Sequence, residues 1–133
     1  MFRHHHPDSV AERIDALMAG VFVADDRERL GRLSEQLAPG FVYISPGAVV
    51  DGPDGLSDAF SHYRSDPRLG AKLSRTSAVD VHHGHFRYSW ERIEQGKIAM
   101  EGWSFGWVAD DGRIARIVSF DGLVPGEVRS PHS

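Results

Sequence analysis

The chain has 133 residues and a formal net charge of −4, with 41% apolar residues, 26% charged residues and no cysteine. That is one domain's length with enough apolar content for an ordinary core, which excludes a disordered chain. Lys and Arg are scattered singly, so phosphates meet no basic stripe, and the lack of cysteine excludes a disulfide framework, thiolate metal ligands and a cysteine nucleophile.

No apolar run approaches the roughly 20 residues needed to cross a bilayer, and MFRHHHPDS has no apolar block of the leader type. The expectation is a cytoplasmic protein with neither nucleic acid nor membrane as partner. Asp8 or Ser9 is placed to cap a first helix, with Glu12 answering Ser9 in a capping box. Val10, Ile14, Leu17, Met18 and Val21 follow at helical spacing. Asp25 and Asp26 open a second helix in which Leu30, Leu33 and Leu37 share a face, and Pro39-Gly40 marks its end. FVYIS at 41–45 reads as a short strand, turned by Pro46-Gly47 into AVVDG at 48–52. Pro53 and Asp54 start a third helix that points Leu56, Ala59, Phe60 and Tyr63 inward, and Pro67 closes it. His62 falls off that face and is expected to be exposed.

From Lys72 onward the pattern predicts four antiparallel strands, roughly 72–82, 85–93, 97–108 and 113–122. The segments HHG (82–84), IEQGKI (93–98) and VADDGRI (108–114) are their turns. Helix, helix, strand pair, helix and meander make an α+β domain, with three N-terminal helices packed on one face of a curved antiparallel sheet. A single domain is expected over 1–124, followed by a loose tail at 125–133 that contains Pro125 and Pro131.

His82, His83 and His85 fall within four positions of VHHGHFRYSW. A metal site needs three or four ligands converging from directions that turn positions rarely supply, so these residues read as rim histidines. His4, His5 and His6 carry no functional weight, and no metal or other cofactor is called for. Asp80 and Arg87 are placed to face one another as a cross-strand ion pair.

The aromatics are more informative. Phe86, Tyr88 and Trp90 alternate with polar residues, and in EGWSFGWV Trp103, Phe105 and Trp107 alternate with Gly102, Ser104 and Gly106. A two-residue loop at Gln95-Gly96 puts Tyr88 opposite Trp103 and merges all the aromatics on one face. A three-residue loop at Glu94-Gln95-Gly96 instead pairs Tyr88 with Gly102 and Phe86 with Ser104, and it suits a type I turn with a bulge. On that choice Phe86, Tyr88, Trp90, Met100 and Ser104 share a face that reads as a pocket lining. Trp103, Phe105 and Trp107 then form an outer surface too aromatic to stay wet, predicting a homodimer through the outer sheet face.

Two helices, a strand ending FVYISP, the helix start GPDGLSDAF and the closing DGRIARIVSFDG strand together resemble the nuclear transport factor 2-like superfamily, and within it the SnoaL-like domains. The resemblance runs from about Asp8 to Val124. It implies a conical α+β fold, usually dimeric, with a mostly apolar pocket between helices and concave sheet. It also implies either cofactor-free isomerase, polyketide cyclase, dehydratase or epoxide hydrolase chemistry, or binding and assembly alone. Ketosteroid isomerases place a general-base Asp before a proline at the end of the first strand, where this chain has Ser45 before Pro46. Their protonated pocket Asp corresponds by count to Ser104, and their first-helix Tyr has no counterpart in ALMAGVFV. The cyclases' acid/base Asp on the last strand falls two residues before Asp121.

Asp121 is the best single candidate for acid/base work, abstracting a proton next to a carbonyl, with Tyr43, Tyr63 or Tyr88 hydrogen-bonding the developing enolate. Its competing role is acceptance of backbone hydrogen bonds at an Asp-Gly turn. The candidate pocket lining is Tyr43, Ser45, Tyr63, Phe86, Tyr88, Trp90, Met100, Ser104 and Ser119. Two functions fit these residues: binding of a small apolar ligand with isomerase, cyclase or dehydratase chemistry on a carbonyl compound, or a non-catalytic ligand-binding or dimerisation module.

Overall fold

The structure, a computed structural model, describes residues 6–122. His4, His5 and the expected tail at 125–133 lie outside them. Helix α1 (Pro7–Gly20) buries Val10, Ile14, Leu17 and Met18 as the spacing predicts, but the capping residue is neither Asp8 nor Ser9. Pro7 occupies the first turn, where its missing N–H costs nothing, and the His6 ring accepts from the Asp8 amide. Helix α2 (Asp26–Gln36) is capped by the Asp25 carboxylate, which accepts from the Glu28 amide at 3.0 Å.

The second helix stops earlier than expected. Leu37, four residues after Leu33, is extended rather than helical and begins strand β1 (Leu37–Ser45), which runs through Pro39 and Gly40. Those two residues fall in a register shift between Leu37 and Val42, where a strand tolerates proline. Strand β2 (Ala48–Asp51) returns beside β1. The third helix is two: α3 (Gly52–Ala59) and α4 (Ser61–Ser65), broken at Phe60 and followed by a 3-10 turn at Pro67–Leu69. His62 is exposed as expected.

The first long strand is also divided, into β3 (Lys72–Arg75) and β4 (Asp80–His82). Both lie on β5 (His85–Glu94), and Ser77 bridges the break by accepting the Ser89 amide on its hydroxyl at 2.8 Å. Strands β6 (Lys97–Val108) and β7 (Ile114–Asp121) complete a seven-stranded curved sheet of order β2-β1-β7-β6-β5-β3, with β4 on β5. The sheet is mixed rather than antiparallel, because β7 pairs parallel with β1 through Val42–Arg116, Tyr43–Ile117 and Ile44–Val118.

The register of β5 on β6 differs from both expected loops. Gln95 and Gly96, with φ of 54° and 74°, make a two-residue turn closed by Glu94 and Lys97. A bulge then opens between Ile93–Ile98 and Arg92–Met100, adding one residue on β6. Tyr88 consequently faces Ser104, Phe86 faces Gly106 and Trp90 faces Gly102, two residues from the expected partners. A shift of two preserves parity, so the inner and outer faces hold the residues the alternation assigned them.

Close approach at two glycines depends on this register. A Cβ on Gly102 would stand 2.6 Å from Trp90 Cζ2 and collide with the Phe120 carbonyl, and one on Gly106 would stand 2.8 Å from Phe86 Cζ. The rings of β5 therefore lie directly on the β6 backbone. Val10, Ile14, Leu33, Leu37, Phe41, Phe86, Ile114 and Ile117 form the packed core between helices and sheet.

Candidate functional site

Between the helices and the concave face of the sheet lies a partly open cavity of about 320 Å³. Leu17 and Met18 of α1, Val21 just after it and Leu73 of β3 give it apolar walls, and Leu56, Ala59, Phe60 and Tyr63 close it from above. The last four are the residues the helical spacing pointed inward. Phe60 packs at 5.7 Å on Phe22, 6.1 Å on Tyr63 and 6.3 Å on Tyr43, so this lid is a ring cluster rather than a loose flap. Two arginines hold it in place. Arg64 donates to the Val21 carbonyl at 2.8 Å and the Ser57 carbonyl at 2.6 Å, and the buried Arg29 donates from Nε to the Ser57 hydroxyl at 2.7 Å.

The floor is polar along one line. Tyr88 on β5, Ser104 on β6, Ser119 on β7 and Tyr43 with Ser45 on β1 follow one another across four adjacent strands, and all line the cavity. The Ser104 and Ser119 hydroxyls lie 2.7 Å apart, both residues buried. Tyr88 lies beside Ser104, while Tyr43 lies beside Ser119 and Ser45. Burial pushes the Tyr88 phenol well above its ordinary value, and it raises Tyr43 too, helped by the nearby Asp121 carboxylate. Both phenols therefore keep their protons at neutral pH and can donate a hydrogen bond.

Asp121 ends β7 opposite Gly102 and lines the cavity mouth. It is exposed. Phe86 and Met100 point to the expected face but do not line the cavity. Phe86 is core, 3% exposed and stacked on Tyr88, and Met100 packs against the core beside the bulge. Ser45, Tyr63 and Trp90 line the cavity with the hydroxyl row. Arg92 was not anticipated. It continues the parity of Phe86, Tyr88 and Trp90, and that alternation was the signal that could have found it.

His82, His83 and His85 stand exposed at the β4–β5 hairpin, where His83 and Gly84 have φ of 48° and 74°. Among the described residues no group of three or more His, Asp or Glu side chains is arranged to hold a metal. None of the described helices is long and apolar enough to cross a membrane.

No protein-family model and no curated protein matches the sequence. Solved structures do match. A provisionally assigned isomerase of the SnoaL-like family from Agrobacterium tumefaciens superposes with a TM-score of 0.76 at 20% identity, over 87% of this chain and 99% of that one. A provisionally assigned SnoaL-like polyketide cyclase from Jannaschia gives 0.61 at 15% identity, over 91% and 92%. A provisionally assigned ketosteroid isomerase from Kribbella flavida gives 0.62 at 12% identity, over 94% and 87%. The chain has the SnoaL-like, nuclear transport factor 2-like fold.

Proposed function

We propose that the cavity binds a small, largely apolar molecule bearing a carbonyl oxygen. The observation that supports this most is the hydroxyl row from Tyr88 through Ser104 and Ser119 to Tyr43, set in a cavity with mostly apolar walls and large enough for a compact ligand. Neutral donors held in place against an apolar ligand suit a carbonyl oxygen, and they suit still better the enolate it becomes.

One carboxylate lies in reach for chemistry. Asp121 takes a proton from the carbon next to the carbonyl, the C–H electrons form the enolate double bond, and the oxygen charge is received by the hydroxyl row. In a β,γ-unsaturated substrate the enolate is conjugated, and return of the proton to the γ carbon, with the double bond shifted into conjugation with the carbonyl, completes an isomerisation without any redox partner. Deuterium uptake by a bound ketone in heavy water, followed by NMR, tests this step. Uptake that falls at least a hundredfold in Asp121→Asn with binding retained supports an enzyme, and unchanged uptake removes Asp121 from the reaction.

A second reading concerns the outer face. Trp103 and Phe120 stack at 4.6 Å and 10°, Phe105 joins them, and Phe105 and Phe120 remain 36% and 43% exposed. This patch supports a homodimer through the outer sheet face formed by Trp103, Phe105 and Trp107, with Phe120 added. Sedimentation should show a dimer that Phe105→Lys converts to monomer, and a wild-type monomer at high concentration would refute it.

A further inference from the structure

Arg92 is inconsistent with a purely neutral ligand. Its side chain is 19% exposed, yet among the described residues its guanidinium makes no hydrogen bond, and its Nε is buried without a partner. Arg29, Arg64 and Arg75 each have several acceptors within hydrogen-bond distance, whereas Arg116 on the outer face lies, like Arg92, over a ring, that of Trp107. The nearest carboxylate oxygen to Arg92 is on Glu94, at 3.7 Å, beyond a hydrogen bond. The guanidinium instead lies over the Tyr63 ring, its carbon 4.7 Å from the ring centre, a cation–π contact that holds it without satisfying its donors. Next to it on the same strand face, Trp90 is 7% exposed and its Nε1–H also lacks a partner. Both residues line the cavity.

The Arg92 Nε and Trp90 Nε1 are shielded from the cavity, and the donors that Arg92 can offer a ligand are its terminal NH groups, left open for an acceptor that arrives with the ligand. Guanidinium chemistry selects that acceptor, because its fork of donors matches a carboxylate with two charge-assisted hydrogen bonds. Asp121, the opposite charge, lies two strands away on β7, about 10 Å at ordinary strand spacing. An anionic group at Arg92 is thus kept apart from Asp121 and competes for the guanidinium with Glu94, whose carboxylate stands 3.7 Å from Nε.

We propose that the ligand is an apolar keto acid whose carboxylate is bound by the terminal NH groups of Arg92, while its carbonyl reaches the hydroxyl row. This rests on the reading of the cavity as a carbonyl-compound site and narrows its substrate class. The test is calorimetric titration of the protein with δ-benzoylvalerate, its methyl ester and valerophenone. The acid should bind at least tenfold more tightly than the ester, and Arg92→Gln should erase that preference while leaving ester affinity unchanged. Equal binding of acid and ester by the wild type, a comparison that needs no variant, overturns the carboxylate assignment and leaves the carbonyl reading intact. Loss of acid and ester affinity in equal measure in Arg92→Gln also overturns it, because the arginine would then be shaping the wall only. If none of the three binds, the carbonyl reading itself fails and this assignment falls with it.

Discussion

The two faces of β5, β6 and β7 are made by the same strands and differ completely in what they can do. On the inner face β6 presents Gly102, Ser104 and Gly106, and the large rings come from β5, lying across that bare backbone. On the outer face β6 supplies the rings itself, Trp103, Phe105 and Trp107, and Phe120 of β7 stacks on them. The inner rings are fixed by contacts on both sides, and space remains beyond them for a cavity. The outer rings touch only one another on one side and stay partly exposed. Side-chain volume on a single strand thus decides which face becomes a site and which becomes an adhesive surface.

The largest effect should come from breaking the inner face. Phe86→Ala removes a fully packed ring and should cost about 3–5 kcal/mol in urea unfolding. Gly106→Ala forces a Cβ against Phe86 and the Arg116 carbonyl and should cost about 1–3 kcal/mol by the same measurement. A cost below about 0.5 kcal/mol for Gly106→Ala would show that the ring does not lie on the strand as described.

Alkali reads the same difference. In the unfolded chain the Tyr43 and Tyr88 phenols ionise near the ordinary value of 10.0, whereas burial raises both in the fold. Their contribution is therefore complete below about pH 10 and is lost as the pH rises beyond it toward the folded values, by about 1.4 kcal/mol per pH unit for each tyrosine. Urea midpoints between pH 9 and 11 (about one unit either side of that value) should fall less steeply in Tyr88→Phe.

The smallest effect belongs to the outer face. Arg87 and Asp80 form the expected cross-strand pair at 2.9 Å, but both are exposed. Asp80→Asn should change stability by no more than about 1 kcal/mol.

The sequence carried the faces of this sheet better than its pairings. Strict alternation at 102–107 and 86–90 forces large and small residues to opposite sides whatever the partner. The bulge at Ile98–Met100, by contrast, depends on the twist of the finished hairpin, which no local residue announces. Leu37 kept a helical spacing from Leu33 yet joined a strand, because burial beside Ile114 satisfies the same leucine in either conformation. The parallel pairing of β1 with β7 is a long-range contact between segments some seventy residues apart, invisible to local pattern. At the site, the tyrosines and serines were legible as individual polar residues on an inner face. Their alignment into one row was not, since it needs the registers of three strand pairs at once. Phe86 and Met100 shared the parity of the cavity residues but sit beyond its ends, and parity says nothing about position along a strand. Arg92 was passed over because an arginine beside an aromatic run looks like a surface residue until its partners are counted.

The most direct measurement is native mass spectrometry of the protein purified from its own host, with bound molecules released and identified. The wild type should carry an apolar, oxygen-bearing molecule at one per chain, and Ala59→Trp, which fills the cavity from α3, should carry none while remaining folded. Equal occupancy in both proteins, or no such molecule in either, would contradict the assignment of the cavity as a ligand site.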